Sequence, residues 1–222
     1  MTLAIFDLDN TLINGDSDHA WSQFLINEAL VDKAEAEAVN DQFLGQYQAG
    51  TLNIEEYLGF ALSFLAGKTP AELAPLHNKF MQTVIEPMML PMAAQLIEKH
   101  QAQGDTLLVI TATNRFVTEP IVARLGIEHL IACEAELING RYTGQPTGIP
   151  SFQHGKVERL NVWIDEQQQS LEGAWFYSDS HNDLPLLEQV DHPVAVNPDG
   201  QLLKVAEQKG WPVMDLRSIN TL

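Results

Sequence analysis

The sequence predicts an α/β fold: a parallel sheet flanked by helices, with a bundle of helices inserted early in the chain. Three observations predict it. The chain opens on a short, wholly apolar run, Leu3 to Phe6, which reads as a strand buried on both faces. After about position 90 short apolar runs alternate with helical patterns, as a parallel sheet with crossover helices requires. Between these regions lie roughly seventy residues with only helical periodicity.

The elements follow in order. Asn14-Gly15-Asp16 breaks the chain after the first strand. Trp21, Phe24 and Leu25 mark one helix, and Val39, Phe43 and Tyr47 a second. Ile54, Tyr57, Leu58, Ala61, Leu62 and Leu65 fall on one face of a third helix. Leu73, Leu76, Phe80, Met81 and Val84 mark the fourth, and Gly45, Gly50, Gly67 and Pro70 lie at expected ends. The bundle closes at the proline-rich EPMMLPM. A helix from Ala93 to Ala102 then stops at Gly104, and Leu107 to Ile110 forms a second buried strand ending at Thr111. A helix ending near Gly126, the apolar HLIAC, a helix from about Gly155, the strand AWFYS, a short helix over Leu184 to Glu188 and the strand PVAVN complete the alternation. The expected division is a catalytic core of residues 1–13 and 88–222 and a helical cap of residues 14–87.

Composition narrows the function. With 30 acidic and 12 basic residues the net charge is −18, which opposes binding to nucleic acid or to an anionic membrane. The single cysteine, Cys133, allows neither an internal disulfide nor a four-cysteine metal site. No stretch reaches the ~18 apolar residues of a membrane span, and no basic stretch precedes an apolar run at the start. A cytoplasmic protein is expected. The sequence gives no sign of its oligomeric state.

Ligands of open α/β sheets bind outside the carboxyl ends of the strands. Three predicted strands end there in polar residues: Asp7 and Asp9 after the first, Thr111-Ala112-Thr113-Asn114 after the second, and Asp179 to Asp183 after AWFYS. If these strands are neighbours, Asp7, Asp9, Asp179 and Asp183 converge. Carboxylates crowded together repel one another. A hard cation removes that repulsion, and oxygen ligands with room for water favour Mg²⁺. Lys156, early in a helix, suits an anionic substrate.

These residues resemble the four motifs of the haloacid-dehalogenase-like (HAD) phosphohydrolases. Asp7-Leu8-Asp9-Asn10-Thr11 is similar to the first motif, Thr111 to the second, Lys156 to the third, and Asp179 with Asp183 to the fourth. The helical insertion after the first motif resembles subfamily IB, the phosphoserine-phosphatase-like branch, and the likeness covers nearly the whole chain. One departure is local: Ser178 and Ser180 flank Asp179 where that branch usually has glycines. The resemblance implies a Rossmann-like core and Mg²⁺ held by the Asp7 side chain, the Asp9 backbone carbonyl and Asp179, with Asp183 close by or acting through water. It makes Asp7 the nucleophile and Asp9 the general acid and base. Thr11, Thr111, Ala112 and Lys156 would bind phosphate, and Asn114 and Arg115 stand either as phosphate or substrate contacts or as a helix cap and a surface arginine.

The expected substrate is a small phosphomonoester. Between Asn14 and Pro87 stand eleven acidic residues and three lysines, and no arginine precedes Arg115. Phosphoserine phosphatases of this branch grip the substrate carboxylate with a cap arginine, a role that suits a bidentate guanidinium. Asp16, nine residues after Asp7, matches the acidic residue that receives the amine there, with Asp18 close by. A cationic amine without a carboxylate follows. Histidinol phosphate fits best, and GDSDHAW and ITATNRFVTEPI resemble the histidinol-phosphatases of this branch. Phosphoethanolamine, phosphocholine and phosphoserine remain alternatives. So do phosphoryl transfer to another alcohol and a catalytically silent phosphate-binding regulator. Asp16 also reads as a helix N-cap, and Trp21 reads as bundle core. His77 reads as a flank of an apolar stripe, and Cys133 as a buried thiol.

Overall fold

The computed structural model describes residues 2–218. Strand β1 (Leu3–Phe6) is completely buried and lies at the centre of a seven-stranded sheet. Its side chains alternate between faces with the period of two that a strand imposes. Ala4 and Phe6 join one apolar cluster, and Leu3 and Ile5 join another on the opposite face. This two-sided burial is why the run carries no polar residue.

Four helices follow. Helix α1 (Ser17–Asn27) is capped by Asp16, α2 (Lys33–Gln48) by Asp32, and α3 (Ile54–Ser63) by Asn53. Helix α4 (Pro70–Phe80) starts with a Thr69–Glu72 capping box and a proline in its first turn. It runs on through a π-helical turn (Met81–Ile85) into the short α5 (Glu86–Met88). Gly45, expected at a helix end, lies inside α2, because the apolar face of that helix carries on to Tyr47. Gly50 and Gly67 do follow helices, both with positive φ.

The chain returns to the sheet through α6 (Pro91–Gln103), which ends on a left-handed Gly104. Strand β2 (Thr106–Asn114) then pairs in parallel with β1. Helix α7 (Arg115–Arg124) leads to β3 (His129–Ile138) and β4 (Arg141–Thr147). Helix α8 (His154–Gln167), β5 (Trp175–Ser178), the short α9 (Leu184–Leu187), β6 (His192–Val196), α10 (Gly200–Lys209) and β7 (Val213–Met214) complete the chain. The strand order is β4-β3-β2-β1-β5-β6-β7, parallel throughout except for β4.

Three elements go beyond the sequence reading. Strand β4 closes an antiparallel hairpin on β3 through Asn139-Gly140, both with positive φ, the preferred two-residue turn. Helix α10 and β7 extend the other edge. Strand β2 also continues past Thr111 to Asn114, with a register shift against β3. A third apolar cluster joins Leu58, Leu62, Leu65 and Leu73 to Cys133 of β3. The amide of Gly67 donates to Tyr142 O and that of Tyr142 to Lys68 O, which ties the turn after α3 to β4. Where the chain leaves and rejoins the sheet, Ile13 bridges Met89 and the Asn14 amide donates to Met88 O at 2.8 Å. Among the described residues no helix is long and apolar enough to cross a membrane.

Candidate active site

β1 lies between β2 and β5, so the polar residues that follow these three strands meet outside their carboxyl ends. Lys156 is the hinge of the arrangement. Its Nζ donates to Asp7 Oδ1 and to Asp183 Oδ2, each at 2.8 Å, and the lysine is 2% exposed. The turn that delivers it is tightly built. Gln153 adopts a positive φ of 47°, and its side chain donates to Asn182. A Cβ on Gly155 would come within 2.0 Å of Pro150 O, so this position admits only glycine.

Asp183 Oδ2 also accepts the Ser178 hydroxyl at 2.7 Å. Thr11 is fully buried, with its hydroxyl 3.5 Å from Asp7 Oδ2 and 3.4 Å from Asp179 Oδ1. Those two carboxylate oxygens therefore converge. Asp9 is held from both sides. The Ser17 amide at the start of α1 donates to its Oδ1 at 2.6 Å, and Thr113 donates to its Oδ2 at 2.8 Å. The Thr111 hydroxyl lies 3.5 Å from the same Oδ2, and the Thr113 amide donates to Thr111.

The electrostatics follow from burial. Desolvation raises Asp7 to about 7; Lys156 opposes this, while Asp183 and Asp9 add to it. Burial and Asp16 push Asp9 up to about 6, against the hydrogen bonds from Ser17 and Thr113. Asp179 is raised by burial and then by Asp7 and Asp183. Burial works against the charge of Lys156, but Asp183 and Asp7 outweigh it and hold the lysine above its ordinary value. The site carries more negative charge than its one lysine offsets, which is the condition a divalent cation relieves.

The donors fit Mg²⁺. Asp7 Oδ2 and Asp179 Oδ1 converge, and all the atoms on offer are hard oxygens. Among the described residues no three His, Cys, Asp or Glu side chains form a ready cage. Mg²⁺ needs none, because it takes one or two carboxylates and keeps several waters. The geometry is compatible with the expected ligand set. The Asp9 side chain is committed to Ser17 and Thr113, in keeping with the expected role for its backbone carbonyl alone. Asp183 Oδ2 is committed to Lys156 and Ser178.

A cavity of about 80 Å³ opens over these groups, lined by Asp7, Asp9, Asp16, Thr111, Ala112, Lys156 and Asp183 from the expected set. Asp16 also caps α1, as one of its two readings expects. At Arg115 and Asn114 the geometry favours the second of the two open readings. Arg115 does not line the cavity; its guanidinium forms a two-point ion pair with Glu134 and donates to Leu130 O. Asn114 is buried, caps α7 through Val117 N, and donates to Asp18 at 3.3 Å instead of facing the phosphate site. Asp18 turns its carboxylate to Asn114 and to the Tyr57 hydroxyl, on the wall of a neighbouring cavity.

Sequence reasoning missed Thr113, which shares the strand face of Thr111 by the period of two, and the aromatic wall of Phe43, Tyr47, Tyr57 and Phe152. It had assigned Phe43, Tyr47 and Tyr57 to apolar stripes. Trp21 is core as expected, 2% exposed, and His77 stacks on it instead of flanking the stripe. Cys133 is buried and its thiol is pushed up to about 11 by desolvation.

The comparisons with known proteins agree with this geometry. Residues 4–188 match the model of the haloacid dehalogenase-like hydrolases. A histidinol-phosphatase of Neisseria meningitidis serogroup C is 50% identical over 219 residues, covering 97% of this chain and 99% of its own. A crystal structure of a protein of unknown function from Bordetella pertussis Tohama I superposes with a TM-score of 0.91 at 44% identity, covering 97% of this chain and 100% of its own. A phosphoserine phosphatase, solved as a phospho-aspartyl intermediate analogue, shares the fold with a TM-score of 0.69 at 18% identity over 96% of this chain and 92% of its own. The chain belongs to the haloacid dehalogenase-like hydrolases.

Proposed function

We propose that this HAD phosphatase hydrolyses a small phosphomonoester carrying a cationic amine and no carboxylate, with histidinol phosphate as its substrate and Mg²⁺ as its metal. One observation carries the reading. Among the described residues Lys156 is the only lysine or arginine lining the catalytic cavity; the other walls offer carboxylates, aromatic rings, amides, aliphatic side chains and His19. A phosphate meets the lysine, and no guanidinium stands ready to grip a substrate carboxylate in two-point fashion. The amine meets Asp16, and an imidazole meets Tyr47, Tyr57 or Phe152. The named activity of the Neisseria relative supports the same substrate.

In this reading the Asp7 carboxylate attacks phosphorus and the bond to the alcohol oxygen breaks. Asp9 gives its proton to that oxygen as the alcohol leaves, then takes a proton from the water that attacks the aspartyl-phosphate. Thr113 and the Ser17 amide hold Asp9 in position for both transfers. Lys156 and Thr111 neutralise and orient phosphate oxygens. Asp7, Asp179 and the Asp9 carbonyl would hold the Mg²⁺, which when bound screens the phosphate's charge from the attacking carboxylate.

Residues 14–87 act as a cap over a core of 1–13 and 88–222. Asn40, Phe43, Tyr47 and Tyr57 of that segment line the cavity together with Asp7 and Asp9, which supports this reading. Hydrogen exchange should then show 14–87 opening as one unit at lower cost than the sheet; protection equal to that of β1 would refute a moving cap.

The test of substrate is phosphate release with Mg²⁺ from histidinol phosphate, phosphoserine, phosphoethanolamine, phosphocholine and a sugar phosphate. Histidinol phosphate is expected to give the highest kcat/KM and phosphoserine little. A preference for phosphoserine would overturn the substrate reading while leaving the mechanism in place. No turnover of any ester would bring forward a silent phosphate-binding role.

A further inference from the structure

A second cavity, about 310 Å³, lies among α1, α2 and α3, larger than the space over the catalytic carboxylates. Asn40 and Tyr57 line both, so the two are neighbours separated by one layer of side chains. The buried carboxylate of Asp18, 5% exposed, lines it, together with Trp21, Phe60 and Phe64. Asp32 and Glu35 add negative charge, and no lysine or arginine is among the lining residues.

We propose that this cavity is a binding site, separate from the catalytic one, for a small organic cation: an ammonium or imidazolium on an apolar body.

Asp18 is the charged group of this wall that is buried. Its carboxylate accepts from the Tyr57 hydroxyl and from Asn114 Nδ2, both neutral donors. A buried charge without a counter-ion is costly, and two neutral hydrogen bonds use only half of a carboxylate's acceptor sites. The remaining sites belong to a group beside open space. Aromatic faces attract cations in addition to apolar bodies. The volume stands at the lower end of small-molecule pockets, which limits the ligand to a metabolite-sized amine. Anions are excluded by the three carboxylates.

The experiment is calorimetric titration of the full chain with 2-phenylethylamine, and with 2-phenylethanol as the uncharged control. Wild type and Asp16→Asn should bind the amine with similar Kd, which separates this site from the amine position proposed in the catalytic cavity. Asp18→Asn should weaken binding by about tenfold or more, the loss of one charged contact. Ala61→Trp, which fills the cavity from α3 and leaves Asp18 in place, should abolish it. The alcohol should bind at least about tenfold more weakly than the amine. Absence of binding to wild type at millimolar amine, binding retained in Ala61→Trp, or equal binding of amine and alcohol would each overturn the proposal. The readout is binding, so a wrong phosphatase substrate leaves it untouched. A parallel titration with histidinol identifies the occupant. Tighter binding than 2-phenylethylamine would make the site one for the released amino alcohol, and weaker binding one for a different amine.

Discussion

Asp7 and Asp18 are both buried carboxylates pushed up to about 7, with desolvation the first cause in each, yet they are held in opposite ways. Asp7 faces the ammonium of Lys156, and its other oxygen converges with Asp179. Asp18 faces a phenol and an amide, and Asp16 and Asp9 add to its repulsion. The first carboxylate sits beside a fixed opposite charge in a cluster that is still short of cations. The second has neutral donors alone. Burial therefore does not distinguish these two carboxylates; the partner does.

The sharpest way to break the comparison is to remove one carboxylate from each region. Asp7→Asn should lower kcat by at least about 10⁴-fold, as loss of a nucleophile does, while circular dichroism shows an intact fold. Retained turnover in the purified variant would remove Asp7 from its role. Lys156→Met tests the partner. Asp7 and Asp183 would then be buried without their cation, at a cost of about 3–5 kcal/mol in urea unfolding, and kcat should fall by about 10²-fold or more. Unchanged stability would mean that the pair of 2.8 Å contacts contributes little.

A smaller effect tests the region of Asp18. Its folded pKa of about 7 lies above the ordinary 3.8, so between these values the folded state binds more protons than the unfolded state. The stability contribution of this group is greatest at the acid end of that window and is lost as pH rises toward 7. The charged or titratable groups facing it are Tyr57, Asp16 and Asp9. Asp18→Asn removes the titration. The Tm of the variant relative to wild type should therefore climb from about pH 4 to about pH 7 and level off above that. A flat difference would show that Asp18 is not charged at a cost. The smallest effect is expected at Arg115. Arg115→Met should leave kcat/KM within about twofold and cost about 1 kcal/mol of stability, because its partners are Glu134 and Leu130 O. A large loss of kcat/KM would return it to the phosphate site.

The sequence was most legible where one physical demand acts over a short stretch. Leu3 to Phe6 had to be apolar on both faces, and Asp7 had to follow at the carboxyl end, so strand and site could be read together. Lys156 could be placed only by its order among the motifs, since nothing local marks a lysine that will lie 2.8 Å from a residue 149 positions away. The hairpin at Asn139-Gly140 carries an open turn signal, but β4 (Arg141–Thr147) is polar and partly to fully exposed along most of its length, so no apolar run marks it as a strand. Arg115 illustrates what no local pattern holds. Its destination depends on Glu134, brought alongside only when α7 packs on β3. Asp18 was marked for its charge, but which cavity it faces is fixed by Tyr57 and Asn114, on two other elements.

The central claim is that Asp7 is the group that takes the phosphoryl from an amine-bearing ester. Acid quenching of the enzyme during turnover of histidinol phosphate, followed by mass spectrometry of the peptide containing Asp7, tests it directly. The account predicts that a fraction of that peptide carries one acid-stable, hydroxylamine-labile phosphoryl group, placed on Asp7 by fragmentation and absent in Asp7→Asn. Phosphate release at full rate with the group on another residue, or with none trapped under conditions that trap it in another HAD phosphatase, would contradict the account.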